Sequence, residues 1–249
     1  MKRACVIGWP ITHSRSPMIH SYWLEKYKIA GTYTKQAVAP EDLGAFLDAL
    51  PTSGLAGCNV TVPHKEAVFA RAGVKESSAA AVGAANTLWL EEGRICAANT
   101  DTYGFMTNLT QSAPDWQNRS GAIVILGAGG SARAVIHGFL EAGAPDVRVI
   151  NRSVARAEDV ARTFGPRVTA HAWHTRDHHA RDASVIVNTT TLGMNGAGTP
   201  DIDFSGVATG AVAADLVYVP IQTEFLKAAK ARGLTTVGGL GMLLHQAGP

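Results

Sequence analysis

"VILGAGGSARA" (residues 124–134) decides the fold of the second half of this chain. A run of branched apolar residues enters a glycine turn, and a helix-forming string leaves it. Within the stretch stands Gly127-x-Gly129-x-x-Ala132, the dinucleotide-binding spacing with alanine in third place. Gly127 suits the tight turn, Gly129 lets a pyrophosphate approach the backbone, and the start of the helix favours its negative charge. An ordinary strand-to-helix turn is the plain alternative, so the weight of the motif comes from its setting. Outward from it, strands are predicted at 122–127, 147–151, 185–190, 211–217 and 234–237, and helices at 131–143, 153–164 and 223–231. Strands alternating with helices imply a parallel sheet covered on both faces, which right-handed crossovers turn into a doubly wound domain.

The second predicted strand ends in "INRSVAR" (150–156). A dinucleotide site that prefers NAD carries an acidic residue there, about twenty residues beyond the turn, for the ribose hydroxyls. This chain has Asn151, which can reach a ribose or a base, and Arg152, which can lie on adenine and pair with a 2′-phosphate. Arg156 follows one helical turn later on the same face. Two solvated arginines at a helix start are the bland reading. Their position against the helix dipole favours a phosphate clamp, and hence NADP.

The first hundred residues alternate strand and helix on their own account. "RACVIG" (3–8) reads as a buried strand, and a helix is predicted from Ser16, as cap, and Pro17 to about Tyr27. "TYTKQAV" (32–38) is a strand, "PEDLGAFLDAL" (40–50) a helix, and "TLWLEEGRICAANT" (87–100) a hairpin turning at Glu92-Gly93. In "NVTVPHKE" (59–66), Pro63 reads as the first residue of a helix, which puts Lys65 in its first turn. A cation is unwelcome there, and an amine turned towards a substrate explains its presence better than a lysine snorkelling to water. A helix at 102–109, followed by the polar "SAPDWQNRSG" (112–121), marks the domain linkage.

The 249 residues suffice for one large or two ordinary domains, and 46% apolar with 17% charged residues is a globular composition. A net charge of +2 calls for neither nucleic acid nor a membrane surface. The amino end is too short and too broken by Gly8 and Pro10 for a signal peptide. Cys5, Cys58 and Cys96 are odd in number and lack CxxC spacing, so reduced thiols in the cytoplasm are expected. "HAWHTRDHH" (171–179) places His174 and His178 four apart, but without a glutamate motif or a cysteine it reads as a solvated histidine-rich segment rather than a metal site.

Eight stretches, "GWPITHSRSP" (8–17), "GCNVTVPHKE" (57–66), "GAANTL" (83–88), "NTDTYGF" (99–105), "GAGGSARA" (127–134), "NRSVAR" (151–156), "NTTTLGM" (188–194) and "GGLGMLLHQA" (238–247), resemble in order and spacing the shikimate dehydrogenase family. The resemblance runs from about Ala4 to Gln246. It implies an α/β chain of two domains: a substrate domain over 1–101, a Rossmann NADP-binding domain over 102–236 with a cleft between them, and a segment 237–249 returning to the substrate domain. It implies the reduction of 3-dehydroshikimate to shikimate with NADPH by a monomer or homodimer. Lys65 falls on the family's catalytic lysine and Asp101 on its partner. Substrate contacts fall on Ser14, Ser16, Thr61, Asn86, Tyr218 and Gln246. Cofactor contacts fall on Gly127, Ala128, Gly129, Gly130, Ser131, Ala132, Asn151, Arg152, Ser153, Arg156, Thr190, Leu216, Gly239 and Met242. Asn86 is equally readable as a turn residue ahead of the hairpin. The chain departs from the family at Gly238, where Asn or Asp is usual, and at Thr191. It also ends at Pro249, where the family continues into a further helix.

Hydride delivery to a ketone builds negative charge on oxygen, and an amine held against that oxygen can donate the proton and recover it in reverse. Ser14 and Ser16, ahead of a helix, suit a carboxylate. Asn86 and Gln246 both donate and accept, which suits ring hydroxyls. Quinate or an amino-substituted ring is the nearest alternative substrate, with Ser16 favouring shikimate. A non-catalytic NADP(H) or shikimate sensor is the alternative that the pairing of Lys65 with Asp101 argues against.

Overall fold

Two six-stranded sheets carry the chain. The structure, a computed structural model, describes residues 1–249. It divides into one unit of Met1–Asp101 with Ala247–Pro249 and a second of Thr102–Gln246.

The first unit runs β1 (Lys2–Gly8), α1 (Ser16–Lys26), β2 (Gly31–Ala37), α2 (Leu43–Ala49), β3 (Gly57–Val60), α3 (Lys65–Arg71), β4 (Val74–Lys75), α4 (Ser77–Val82), β5 (Thr87–Glu91) and β6 (Arg94–Ala98). Its strand order is β2-β1-β3-β5-β6-β4, with β5 alone antiparallel to its neighbours. Period-two alternation sends Cys5, Ile7, Cys58, Val60, Leu88 and Ala97 to one face, where Leu43 and Leu47 of α2 and Val68 of α3 close a core. Glu92 and Gly93 turn the predicted hairpin with φ 51° and 74°, the left-handed pair a two-residue hairpin needs.

Two local expectations fail here. Ser16 is the first helical residue of α1 rather than its cap, and its amide donates to Ser14 Oγ at 3.4 Å. Pro63 does not open α3: it follows a cis Val62–Pro63 peptide in a turn, and the helix starts at Lys65. Lys65 is therefore the first residue of a seven-residue helix.

The second unit starts with α5 (Asp101–Ser112), whose residues from Thr102 belong to it, and continues through β7 (Ala122–Leu126), α6 (Gly130–Glu141), β8 (Val147–Asn151), α7 (Val154–Phe164), β9 (Val168–Ala172), α8 (Arg176–Ala180), β10 (Ala183–Asn188), β11 (Val212–Asp215), α9 (Glu224–Ala231), β12 (Thr235–Val237) and α10 (Gly239–Gln246). All its strands pair in parallel, in the order β12-β11-β10-β7-β8-β9. That is the doubly wound order, with its switch point between β7 and β10. Ile123 and Ile125 point to one apolar layer and Val124 and Leu126 to the other, so β7 is buried on both faces.

The sequence pattern does not announce β9, α8 or α10. β9 is an edge strand of mixed polarity, and α10 carries Gly239 and Gly241, poor helix formers. Packing makes α10 a helix. A Cβ at Gly104 of α5 would lie 2.8 Å from the Met242 carbonyl, and one at Gly241 would overlap Asn108. Of the segment 237–249, residues to Gln246 group with the second unit and Ala247–Pro249 with the first. No helix is long and apolar enough to cross a membrane.

Candidate active site

The antiparallel β5 brings three distant polar residues together at one end of the central strands of the first sheet. β3 ends there and leads into Lys65, β5 starts there just after Asn86, and β6 ends there just before Asp101. Lys65 Nζ donates to Asp101 Oδ2 at 2.6 Å, with side chains only 10% and 4% exposed. Asn86 Nδ2 donates to Asp101 Oδ1 at 3.1 Å and to Thr100 Oγ1 at 2.9 Å, and Asn86 Oδ1 accepts the Thr100 amide at 3.0 Å. Each carboxylate oxygen thus has its own donor, as a buried charge requires. The backbone of Asn86 pairs with the neighbouring strands, its amide donating to the Ala98 carbonyl at 3.1 Å and its carbonyl accepting the Val60 amide at 2.8 Å, while its side chain belongs to the polar cluster.

Asn99, to which the sequence assigns no role, holds the cluster from below. Its Oδ1 accepts the Asp101 amide at 2.9 Å, and its Nδ2 donates to the Ala84 carbonyl at 2.8 Å. Thr61 follows β3, and its amide donates to the Ile7 carbonyl at 2.9 Å. Ser14 and Ser16 are buried at the start of α1. An ammonium, a carboxylate and an amide that meet at these strand ends can bind vicinal hydroxyls and pass a proton.

In the second unit the switch point holds the predicted phosphate loop. Gly127 has φ 110°, and a Cβ there would lie 2.7 Å from Thr189 Oγ1, so glycine is required on both counts. Nothing lies within 4 Å of a Cβ built on Gly129, which leaves open space at the start of the twelve-residue α6. That space, faced by the amides of Gly130 and Ser131, fits a pyrophosphate. Ala132 is fully buried and lets α6 seat on the sheet, and Ala128 is buried beside it.

At the end of β8, Asn151 Nδ2 donates to the Ser153 carbonyl at 2.9 Å. Arg152 precedes α7 instead of lying in its first turn, because β8 stays paired with β9 through Asn151. Arg156, in that first turn, reaches back to the Ala128 carbonyl at 3.4 Å, and both arginines are exposed. They flank the loop with positive charge.

Asn188 and Asp215, at the ends of β10 and β11, also escape sequence reasoning, although paired polar residues closing adjacent apolar strands are a readable signal. Asn188 Nδ2 donates to Asp215 Oδ1 at 2.9 Å and to the Leu192 carbonyl at 3.0 Å, and its Oδ1 accepts Thr190 Oγ1 at 2.7 Å. Asp215 also accepts the Val217 amide and the Thr223 hydroxyl. Burial pushes the Asp215 carboxyl up to about 6, against the lowering effect of those donors. This network shapes the loop bearing Thr190 and the turn bearing Leu216 and Tyr218. A Cβ at Gly239 would overlap the Leu216 carbonyl, so α10 starts in contact with that turn, with Met242 buried one turn on. At Gly238 a Cβ would meet nothing closer than 3.6 Å, so the departure there leaves room rather than a clash. Gln246 ends α10, with Nε2 donating to the Leu243 carbonyl at 3.3 Å. Tyr218 is half-buried after β11.

Two family profiles match the chain. The shikimate dehydrogenase substrate binding domain matches residues 6–88, and the shikimate/quinate 5-dehydrogenase domain matches residues 109–194. The chain is 51% identical over 249 residues to the shikimate dehydrogenase (NADP(+)) of Azorhizobium caulinodans, covering 100% of this chain and 89% of that protein. Shikimate 5-dehydrogenase from Thermus thermophilus, in complex with NADP(H) and shikimate, superposes with a TM-score of 0.84 at 35% identity, over 99% of this chain and 90% of that one. Quinate dehydrogenase from Corynebacterium glutamicum, in complex with NAD, superposes with a TM-score of 0.85 at 30% identity, over 99% of this chain and 90% of that one.

Proposed function

The chain belongs to the shikimate dehydrogenase family, and from that premise we propose that it interconverts 3-dehydroshikimate and shikimate with NADP(H), using Lys65 and Asp101 as its acid–base pair. The observation that carries the reading is the buried 2.6 Å contact between Lys65 and Asp101 beyond the strand ends of the first sheet. When bound, NADPH supplies the hydride. As charge develops on the ketone oxygen, the Lys65 ammonium gives up a proton to it, and in the oxidation direction the amine takes it back. Asp101 and Asn86 orient the ring hydroxyls, and Thr61, Ser14 and Ser16 receive the ring and its carboxylate. The family resemblance assigns Tyr218 and Gln246 to the same ring. The first unit is the substrate domain and the second the NADP domain, with the phosphates over Gly127–Ala132, adenosine by Asn151, Arg152, Ser153 and Arg156, and nicotinamide by Thr190, Leu216, Gly239 and Met242. The reaction belongs in the cytoplasm, on a small molecule, in a monomer or homodimer.

Quinate is the second reading, favoured by the equally good superposition on a quinate dehydrogenase. Quinate carries an additional hydroxyl on the ring carbon that bears the carboxylate, and Ser16 is buried at the start of α1. Initial rates with shikimate and quinate, each with NADP⁺ and NAD⁺, decide between them. Turnover should be highest with shikimate and NADP⁺. Turnover with quinate alone would transfer the assignment, and no turnover in any pairing would overturn both.

A further inference from the structure

The Lys65–Asp101–Asn86 cluster does not end at Asn86. Thr87 Oγ1 donates to Asn86 Oδ1 at 3.1 Å. It accepts in turn from Asn59 Nδ2 at 3.1 Å, and the same amide group contacts the Asn86 carbonyl at 3.3 Å. Asn59 Oδ1 accepts the phenol hydroxyl of Tyr33 at 2.6 Å. One line of hydrogen bonds therefore crosses the first sheet from β2 through β3 to the start of β5 and reaches the acid–base pair.

The line has a direction. The Asn86 carbonyl can only accept, so Asn59 turns its NH₂ to it and to Thr87 and presents its oxygen to the Tyr33 hydroxyl. With that NH₂ on its oxygen, the Thr87 hydroxyl turns its proton towards Asn86. The oxygen of Asn86 is thereby held between Thr87 and the Thr100 amide, which turns its NH₂ to Asp101. The outer end is itself held: the His20 ring of α1 stacks on the Tyr33 ring with centroids 4.1 Å apart and planes 16° apart, and Trp23 backs His20 edge-on. Burial keeps the Tyr33 phenol far above its ordinary titration range, so it remains a donor wherever the enzyme works.

We propose that Tyr33 is a positioning residue for the reaction, orienting Asn86 and through it Asp101 by way of Asn59 and Thr87. The proposal rests on the reading of Lys65, Asp101 and Asn86 as the site that receives shikimate. Tyr33 touches none of the reacting atoms; its hydroxyl is also hydrogen-bonded to Ser16, a contact outside this line that the Thr87 variant leaves in place. The Asn86 carbonyl, which can only accept, sets the amide orientation of Asn59, and the Tyr33 hydroxyl, donating to the oxygen this leaves on the other side, holds that side chain and the line behind it in place.

The test is a double-mutant cycle on the full chain with Tyr33→Phe and Thr87→Val, which remove one hydroxyl each while keeping ring and branched shape. Wild-type turnover of shikimate with NADP⁺ is measured first, so failure of the functional reading is seen before any variant is made. Tyr33→Phe should lower kcat/KM for shikimate about three- to tenfold, the effect of one neutral hydrogen bond. KM for NADP⁺ should stay at its wild-type value, and the melting temperature should fall by no more than a few degrees, the effect of the same lost bond on the fold. Thr87→Val should act likewise, and the double variant should be no worse than the poorer single one, because both cut the same line. Asn59→Asp, nearly isosteric, offers Thr87 an acceptor in place of a donor and should lower kcat/KM for shikimate at least as much as Tyr33→Phe. Effects that multiply in the double variant, equal losses for shikimate and NADP⁺, or wild-type kinetics in Tyr33→Phe would each overturn the proposal.

Discussion

Lys65 Nζ and Asp101 Oδ2 stand 2.6 Å apart although 36 positions separate them in sequence, and almost no solvent reaches either side chain. The contact exists because β5 reverses the chain between them. Lys65→Ala should lower kcat by about two to four orders of magnitude, as loss of a general acid–base does. Affinity for shikimate should fall less. A variant whose KM rises while kcat stays near wild type would reduce Lys65 to a binding residue. Asp101→Asn should weaken both constants, because it faces the lysine and the ring hydroxyls together.

Coenzyme preference tests the second unit. Arg152 and Arg156 should each contribute about tenfold to NADP affinity through charge-assisted hydrogen bonds to the 2′-phosphate. Both are exposed, so the preference should weaken as salt rises. Replacing both by alanine should raise KM for NADP⁺ strongly and leave KM for NAD⁺ almost unchanged. Equal affinity of the wild-type protein for the two coenzymes would show that neither arginine reads the phosphate.

Asp215 makes a separate claim on stability. Its folded carboxyl titrates at about 6 against an ordinary value of 3.8. Between those pH values the folded chain keeps a proton that the unfolded chain has released. Stability from this group therefore falls as pH rises through that window, by on the order of 2–3 kcal/mol, and is level above it. In Asp215→Asn this slope is gone, so its melting temperature should climb relative to wild type across that window. Parallel melting curves for the two proteins over that range would refute the assignment.

The histidine-rich segment should act in the opposite sense. His171 and His179 lie with ring centroids 3.8 Å apart, and His178 meets His179 edge-on. Arg148, held by Asp146 and Asp182, and Arg181 lie beside them. Burial, with Arg148 and the neighbouring imidazoles, holds His171 and His179 below their ordinary 6.5. Unfolding lets them take up protons, so stability present above that value is lost as pH falls below it. His171→Phe keeps a ring in place and should flatten the loss of melting temperature as pH falls from about 7 to about 5. An unchanged acid limb would exclude the pair as its source.

Much of the fold is legible because burial writes it plainly. "AIVIL" before Gly127 reads only as a strand covered on both faces, and Glu92-Gly93 only as a tight hairpin. The proposed acid–base pair is legible through Lys65, placed where a helix start disfavours it. Three kinds of feature are not legible. The start of α3 is ambiguous because Pro63 suits a first helical turn and a preceding loop equally well. α10 is hidden because its two glycines oppose a helix, and only their contacts with Asn108 of α5 and the Leu216 turn offset that cost. Asn59 and Asn99 are hidden because a polar residue inside the fold reveals its partner only in three dimensions, and Asn188 and Asp215 show only as polar ends of apolar strands, without their partners. In the sequence each of them looks like punctuation.

Lys65, Asn86 and Asp101 all lie where the chain leaves or enters a strand, whereas the apolar interiors of β1, β3, β5 and β6 lie behind them. Durability and reactivity are thus written in different letters of the same segments. A lineage could exchange one branched apolar residue for another inside these strands, and so adapt to heat or cold, while passing on its chemistry unaltered. A single change at the rim could silence the enzyme and leave the apolar layer behind it untouched.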